Sequence, residues 1–248
     1  MISVIIPTCD RPANFLLQAV NSALGQSHAP QEVIVVDNGT QEADPTILPD
    51  GISYYRLPPR IGPSRARNFG AAMAKGTHLA FLDDDDWWDI DFLREAWAVL
   101  KAEGTRCVYG RKDRFENGTI QPYKCPKVDT LTVPYLLRSN PGTGGVNLVI
   151  EKTLFWSIGG FDENLYTSED KALAIEILKV GEKISIAEAA AAIVRSHSGE
   201  RLRLAPLRKL RFVWKYRAFF GLLRGLSEVS WIFHAHFKAR VRSIFRRG

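Results

Sequence analysis

The stretch Leu79-Ala80-Phe81-Leu82-Asp83-Asp84-Asp85-Asp86 decides the fold, because an apolar run ends abruptly in four adjacent carboxylates. The apolar half is typical of a buried strand. Ligands of open α/β sheets bind beyond the carboxyl ends of such strands. Four neighbouring carboxylates repel one another, so their placement there is costly unless a cation neutralises them. The four aspartates at 83–86 form the acidic loop, which is therefore predicted to be a metal site. The alternative is a solvated acidic loop.

Strand-like and helix-like segments alternate on the amino-terminal side of this stretch. Predicted strands cover 3–7, 32–37 and 53–56, and the spacing of apolar residues indicates helices over 15–24 and 63–74. Strands separated by helices favour βαβ crossovers, so the fold class is α/β with a mainly parallel sheet. Residues 1–100 are expected to form a nucleotide-binding half.

The pattern after residue 100 is mixed. Asn117-Gly118 predicts a hairpin turn, and 146–150 is strand-like. A short helix from Thr153 should end at Gly159-Gly160, where glycine tolerates a left-handed cap. Ser168 is predicted to be the N-cap of a helix that ends near Gly181.

Positive charge is concentrated at the carboxyl end of the chain. Residues 201–248 contain thirteen Lys and Arg and one acid, whereas residues 1–200 contain twenty bases and twenty-six acids. Aromatic residues alternate with these cations, which suits helices over 206–248 that lie on an anionic membrane, where each cation adds about 1 kcal/mol. The alternatives are a helix that packs its aromatics on the preceding domain, and nucleic-acid binding. We expect no nucleic acid, because no such motif accompanies the charge.

The change of charge sign places a domain boundary near Ser198. The predicted units are a domain over 1–198, divided into halves at residue 100, and a basic, aromatic-rich helical tail over 199–248. Cys9, Cys107 and Cys125 are odd in number and lack a C-x-x-C pair, which argues against a disulfide framework. We therefore expect a cytoplasmic protein, with the tail on the inner face of the cell membrane.

Six ordered motifs resemble those of family 2 glycosyltransferases, whose fold is called GT-A. They are Val4-Ile5-Ile6-Pro7-Thr8, Val35-Val36-Asp37-Asn38-Gly39, Ala66-Arg67-Asn68-Phe69-Gly70, Phe81-Leu82-Asp83-Asp84-Asp85-Asp86, Gly159-Gly160-Phe161-Asp162-Glu163 and Ser168-Glu169-Asp170. The resemblance implies transfer of a sugar from a nucleotide-diphosphate sugar, with UDP favoured, Mn²⁺ or Mg²⁺ as cofactor and inversion at the anomeric carbon. The implied acceptor is a hydroxyl of a glycan or lipid-linked glycan in surface polysaccharide biosynthesis.

The resemblance also implies roles for the acidic loop. Asp85 is the first choice as metal ligand, Asp83 contacts the ribose or the metal, and Asp86 supports them. Because the four aspartates leave the register uncertain by one residue, Asp84 faces either of these sites, the metal or the nucleotide, or else solvent. His197 is a further metal ligand by the resemblance; the alternative is an ordinary loop histidine.

The expected nucleotide-sugar contacts come from several segments. Asp37, at a strand end, can accept hydrogen bonds from a base imide or a ribose hydroxyl; the alternative is a turn aspartate that caps a neighbouring amide. Arg67 and Asn68 carry donors that could hold diphosphate or fix the acidic loop; the alternative is a solvated helix face. The full predicted set is Pro7, Thr8, Asp10, Arg11, Asp37, Asn38, Arg67, Asn68, Asp83 and Asp84.

An inverting single displacement needs a general base opposite the leaving group. The resemblance places this base in Glu169-Asp170, and Asp170 is the predicted catalytic residue. The alternative is an acidic pair that stabilises a helix N-terminus. Glu169, Trp87 and Trp88 are predicted to contact the acceptor, although a core role for one tryptophan is equally compatible with the sequence.

The sequence bears on two other functions. A nicotinamide oxidoreductase would need G-x-G-x-x-G after the first strand, where this chain has Pro7-Thr8-Cys9-Asp10-Arg11-Pro12, so it is rejected. A non-catalytic nucleotide-sugar-binding or membrane-scaffold protein would be expected to lose its metal or base carboxylates. Asp83, Asp85 and Asp170 are all present, and only an assay separates this alternative from an enzyme.

Overall fold

A computed structural model describes residues 1–165, 167–196 and 209–220. Its centre is one nine-stranded sheet. The strands are β1 (Ile2–Thr8), β2 (Glu32–Asp37), β3 (Ile52–Arg56), β4 (His78–Phe81), β5 (Trp87–Trp88), β6 (Cys107–Glu116), β7 (Thr119–Lys124), β8 (Leu148–Glu151) and β9 (Ile184–Arg195). The helices are α1 (Ala13–Leu24), α2 (Pro63–Met73), α3 (Phe92–Glu103), α4 (Val133–Arg138), α5 (Lys152–Ser157), α6 (Glu169–Lys179), α7 (Leu210–Lys215) and α8 (Arg217–Phe220). Within the described ranges, every helix is too short or too polar to cross a membrane.

The sheet is parallel in its first half and mixed in its second. The strand order is β3-β2-β1-β4-β8-β6-β9-β5, with β7 paired to β6. The first four strands are parallel, as predicted. Strand β8 then runs antiparallel between β4 and β6, so the expectation of a mainly parallel sheet holds only for the first half. One continuous sheet therefore joins the two predicted halves.

Helices cover both faces of the sheet because successive strand residues point to opposite sides. In β1, Val4 packs with α1 and α3, whereas Ile5 packs with α2 and the helices of the second half. Gly70 allows α2 to approach closely, since a Cβ at this position would lie 2.5 Å from Ile5 Cγ2. The last residue of the Ala66–Gly70 motif is thus explained by packing.

The predicted turns are present, with one difference in detail. Asn117 and Gly118 have φ of 51° and 80° between β6 and β7, and Gly159 and Gly160 also have positive φ after α5. Helix α6 begins after Ser168, but the Ser168 side chain makes no capping hydrogen bond, because the residue adopts φ 68° instead of an extended conformation. The position of the helix start was correct and its capping mechanism was wrong.

The described part of the tail packs on the domain. Phe212, Val213 and Tyr216 are buried, and the Tyr216 hydroxyl donates to Glu176 Oε1 at 2.9 Å. Lys215 Nζ forms an ion pair with Asp162 at 2.7 Å. Within residues 209–220, the buried side chains of α7 therefore pack on the domain, as the alternative to membrane binding predicts. The predicted domain boundary and the rest of the segment predicted to bind membrane lie outside the described residues.

Replacing Phe212 with alanine should lower the free energy of unfolding by about 3–5 kcal/mol, the usual cost of truncating a buried phenylalanine. Trp214, on the same helix, is 69% exposed. Trp214→Ala is therefore the matched control and should change stability by less than about 0.5 kcal/mol. Chemical denaturation measures both variants; equal small effects would mean that α7 does not dock in solution.

Candidate active site

The carboxyl ends of three neighbouring parallel strands bring the predicted motifs together. Strand β1 lies between β2 and β4, so the segments 8–11, 37–39 and 83–86 meet at one edge of the sheet. The Asn38 backbone N–H donates to the Thr8 carbonyl at 2.9 Å, which holds the first two segments in register. This edge is where an open α/β sheet binds its ligand.

Within the acidic loop, Asp84 turns toward β1. Its carboxylate accepts hydrogen bonds from Thr8 Oγ1 at 2.7 Å and from Arg11 Nε at 2.9 Å. Burial raises the pKa of Asp84 to about 6, although Arg11 opposes the shift. These contacts favour a role for Asp84 in holding the loop to β1 over the predicted contact with nucleotide or solvent.

Asp83 and Asp85 are the accessible members of the loop. Their side chains are 33% and 17% exposed, whereas Asp84 and Asp86 are buried. Burial, and then the charges of Asp83 and Asp85, raise the pKa of Asp86 well above its ordinary value. A bound cation would relieve this repulsion, and carboxylate oxygens suit Mg²⁺ or Mn²⁺.

The described residues contain no group of three or more His, Cys, Asp or Glu side chains arranged around a common metal position. Asp83 and Asp85 would thus supply only part of a coordination shell. Mg²⁺ commonly completes its shell with water and substrate phosphates, so this partial set fits such an ion. The predicted ligand His197 lies outside the described residues.

Arg195, at the end of β9, also contacts the acidic loop, at Asp85 and Asp86. Its backbone N–H donates to Asp86 Oδ1 at 2.8 Å, and its Nε donates to the Asp85 carbonyl at 3.2 Å. Its guanidinium lies 4.3 Å from the ring centroid of Phe15 and 5.0 Å from that of Trp87. Arg195 was missed because it is remote from the loop in sequence.

The two aspartates predicted to bind nucleotide near β1 and β2 are engaged within the protein. Asp37 is almost fully buried; it accepts from the Gly39 and Ala43 backbone N–H groups and from the Tyr54 hydroxyl, at 2.7–2.8 Å. Asp10 Oδ1 accepts from Thr40 N at 2.6 Å. These bonds match the turn-aspartate alternative for Asp37, and a nucleotide contact by either residue stays a prediction.

Other predicted nucleotide contacts differ in accessibility. Pro7 is buried inside β1, and Asn38 is 3% exposed. Asn68 uses both amide hydrogens on the loop after α5, donating to the Phe161 carbonyl at 2.8 Å and to Glu163 Oε1 at 3.1 Å. Its Oδ1 accepts from the Phe161 N–H at 2.9 Å. Asn68 therefore positions this loop, which leaves its amide no free hydrogen for the predicted diphosphate contact.

Arg67 connects the acidic loop with the predicted catalytic element. The residue is 5% exposed. Its Nη2 donates to Asp83 Oδ1 at 2.5 Å, and its Nη1 lies 3.7 Å from Glu169 Oε1. Burial alone would lower the pKa of Arg67, but the charges of Asp83, Asp170 and Glu169 outweigh it and raise that pKa. The guanidinium is thus the shared counter-ion of both carboxylate groups, and the solvated-face alternative is wrong for it.

Asp170 lies at the start of α6, partly buried, and accepts a hydrogen bond from the Gly145 N–H at 2.9 Å. Burial raises its pKa, with Arg67 opposing and Asp83 adding to the shift. Burial and then the charge of Asp170 raise the pKa of Glu169 to about 7. Two carboxyls with raised pKa values beside a buried arginine are typical of a site for proton transfer.

The loop 140–145, between α4 and β8, was not singled out from the sequence. A Cβ on Gly145 would lie 3.3 Å from Arg67 Nε and 3.5 Å from Asp170 Oδ1. A Cβ here would therefore be in ordinary contact with Asp170 and slightly too close to the Arg67 guanidinium. The signal in the sequence is the cluster Gly142-Thr143-Gly144-Gly145.

The two tryptophans after the acidic loop have different environments. Trp88 is 3% exposed, donates from Nε1 to the Val146 carbonyl at 2.7 Å and stacks on Phe92 with centroids 4.5 Å apart. The core alternative therefore describes Trp88, and an acceptor contact by this residue stays a prediction. Trp87 is partly exposed and packs edge-on against Phe115, so its predicted acceptor contact stays open.

Comparisons with known proteins agree with this architecture. The profile described as Glycosyl transferase family 2 matches residues 3–158. An uncharacterized glycosyltransferase of Rickettsia typhi is 28% identical over 193 residues, which cover 73% of this chain and 59% of that protein. The succinoglycan biosynthesis protein ExoO of Rhizobium meliloti is 27% identical over 211 residues, covering 79% and 61%. The chain thus spans about three fifths of the length of these relatives.

Among solved structures, S. aureus TarS 1–349 in complex with UDP-GlcNAc superposes with a TM-score of 0.70 and 20% identity, covering 96% of this chain and 72% of that one. The likeness confirms the predicted GT-A fold. Because the profile match covers more than half of the sequence and includes the strand ends and the acidic loop, the chain belongs to glycosyl transferase family 2.

Proposed function

We propose that this protein transfers a sugar from a nucleotide-diphosphate sugar to a hydroxyl of a glycan or lipid-linked glycan, with inversion and with a divalent metal. The observation that carries the proposal is the position of Arg67. Its buried guanidinium contacts Asp83 of the acidic loop and lies between that loop and Glu169-Asp170. The proposed leaving-group residues and the proposed base therefore lie around one guanidinium group.

On the leaving-group side, Asp83 and Asp85 would hold Mg²⁺ or Mn²⁺. When bound, such an ion acts as a Lewis acid that neutralises the departing diphosphate. Thr8, Arg11 and Asp84 fix the loop through their mutual hydrogen bonds. Because these groups are already in place, the site does not need to reorganise as negative charge develops on the diphosphate.

On the acceptor side, Asp170 takes the proton of the attacking hydroxyl. The Gly145 N–H orients its carboxylate, and burial raises its pKa toward the range useful for a base. Glu169, Asp170 and Trp87 are the proposed acceptor-facing residues. The proposed nucleotide contacts are Thr8, Asp10, Arg11, Asp37 and Arg67, with Pro7, Asn38 and Asn68 as supporting residues.

The substrates are proposed by similarity. The name of the ExoO relative supports a role in surface polysaccharide synthesis, and the UDP-GlcNAc complex of the TarS neighbour supports a UDP-sugar donor. We also propose that the tail lies on the anionic inner face of the cell membrane. Trp214 and Phe219 are 69% and 53% exposed, and Arg217 lies over the Trp214 ring at 4.4 Å, a pairing suited to a membrane interface.

Donor hydrolysis tests the proposal without an identified acceptor. Full-length protein is incubated with UDP-, GDP- and dTDP-sugars, and released nucleotide is measured with Mn²⁺ or Mg²⁺ and with EDTA. We expect release from at least one donor, loss of release in EDTA and recovery when metal is restored. Absence of release from every donor would favour the non-catalytic alternative, and full activity in EDTA would contradict the metal.

A further inference from the structure

Two lysines face each other on the β6–β7 hairpin, in the same half of the chain as the candidate base. Lys112 and Lys124 are direct cross-strand partners. Like charges in this position destabilise a strand pair. Their placement side by side is therefore unfavourable for folding alone and suggests that they meet an anion.

Both ammonium groups reach the loop 140–145. Lys124 Nζ donates to the Asn140 carbonyl at 3.1 Å, and Lys112 Nζ donates to the Thr143 carbonyl at 3.5 Å. Across the described ranges, neither lysine has a carboxylate within 4.0 Å of its Nζ. Each ammonium has three hydrogens to donate, and one hydrogen bond is formed by each, so both retain donor capacity.

The Lys112 ammonium is also partly removed from water. Burial lowers the pKa of Lys112, and the charge of Lys124 adds to this, while Asp170 opposes it. A partly desolvated cation with one long hydrogen bond interacts more strongly with an anionic ligand than a surface lysine does.

The same loop connects Lys112 with Asp170. Gly145 donates to Asp170 Oδ1, one residue after Gly144. A Cβ on Gly144 would lie 3.0 Å from Lys112 Nζ. The glycine therefore leaves room for the ammonium next to the candidate base.

We propose that Lys112 and Lys124 form a subsite for an anionic substituent, a phosphate or a carboxylate, on a substrate glycan bound next to Asp170. This inference rests on the proposed function and adds a substrate class to it. The anion belongs either to the acceptor or to the sugar of the donor. In both cases the lysines position the substrate and do not take part in proton transfer.

Calorimetric titration of the full-length protein with matched probes tests the subsite. In the acceptor arm, methyl glucuronide is compared with methyl glucoside, and glucose 6-phosphate with glucose. In the donor arm, UDP-glucuronate is compared with UDP-glucose. In at least one arm we expect the probe with the added anionic group to bind about tenfold more tightly than the matched probe without it, which corresponds to about 1.4 kcal/mol.

Variants assign this preference to the two lysines. Lys112→Met and Lys124→Met should each remove most of the preference, whereas Lys112→Arg should retain it because the charge is kept. Lys75→Met is the matched control, since Lys75 is exposed and precedes β4, at the amino-terminal ends of the parallel strands. Circular dichroism shows whether each variant is folded.

A preference in the acceptor arm assigns the anion to the acceptor, and one in the donor arm assigns it to the donor sugar. Absence of a preference in both arms, or a preference that survives in the Lys112→Met/Lys124→Met double variant, overturns the subsite. In that case Lys112 serves only as a counter-ion for Asp170 and Asp86. Donor hydrolysis by the wild-type protein tests the proposed function separately, because hydrolysis without an anion preference would remove the subsite alone.

Discussion

Asp170→Asn should lower turnover by roughly 10²–10⁴-fold, the usual contribution of a positioned general base. The amide has nearly the same shape, and its oxygen can still accept the hydrogen bond from Gly145. The loop and the nucleotide site should therefore keep their structure. We expect nucleotide-sugar affinity to change little, and steady-state kinetics together with calorimetric titration measure both quantities.

Asp129→Asn is the matched control, because Asp129 is an exposed acid in the same half of the chain. The pH profile gives a second test. Burial raises the pKa of Asp170, and a base acts only when deprotonated, so turnover should fall as the pH drops through this raised value. A variant that turned over at the wild-type rate would remove Asp170 from the mechanism.

The second large effect concerns the acidic loop. Asp85→Ala should lower turnover by roughly 10²–10³-fold, comparable to losing one preorganised electrostatic group. It should also weaken the metal-dependent binding of nucleotide, because the carboxylate would hold the ion that neutralises the diphosphate. Titration of UDP with and without Mn²⁺ measures this coupling.

Asp50→Ala is the control for this variant, since Asp50 is exposed and distant in sequence from the loop. The contrast with Asp170→Asn is informative, because only the Asp85 variant should lose nucleotide affinity. If Asp85→Ala bound UDP with the wild-type response to Mn²⁺, the assignment of metal ligation to this residue would be wrong.

Much of the parallel half of the fold was predictable because its signals are local. The apolar runs that form β1, β2 and β4 are each ended by polar or proline-rich segments, and helices with regular apolar spacing separate them. The carboxyl ends of parallel strands lie at one edge of a sheet, so Thr8, Asp37 and Asp83 could be brought together without coordinates.

Interactions between distant segments were not predictable in the same way. Four identical aspartates contain no information about which one faces β1, and the Thr8–Asp84 hydrogen bond decides it. Similarly, two adjacent tryptophans are equivalent in sequence, and the position of β5 beside β9 buries only Trp88. Arg195 reaches the acidic loop through this same strand pairing.

The position of the loop 140–145 beside Asp170 depends on the order of the strands in the sheet. Strand β8 runs antiparallel between β4 and β6, and this places the loop 140–145 near α6. Neither the spacing of Lys112 and Lys124 nor the glycine cluster predicts that order. Their contribution to the site therefore became apparent only from the tertiary structure.

The anomeric configuration of the product shows whether sugar transfer at this site is a single displacement, assisted by Asp170 opposite the diphosphate. Once the donor screen has identified a substrate, NMR of the first-formed product gives its configuration before mutarotation or further reaction. A single displacement gives a product inverted relative to the donor sugar, and a product that retains the donor configuration would exclude this mechanism.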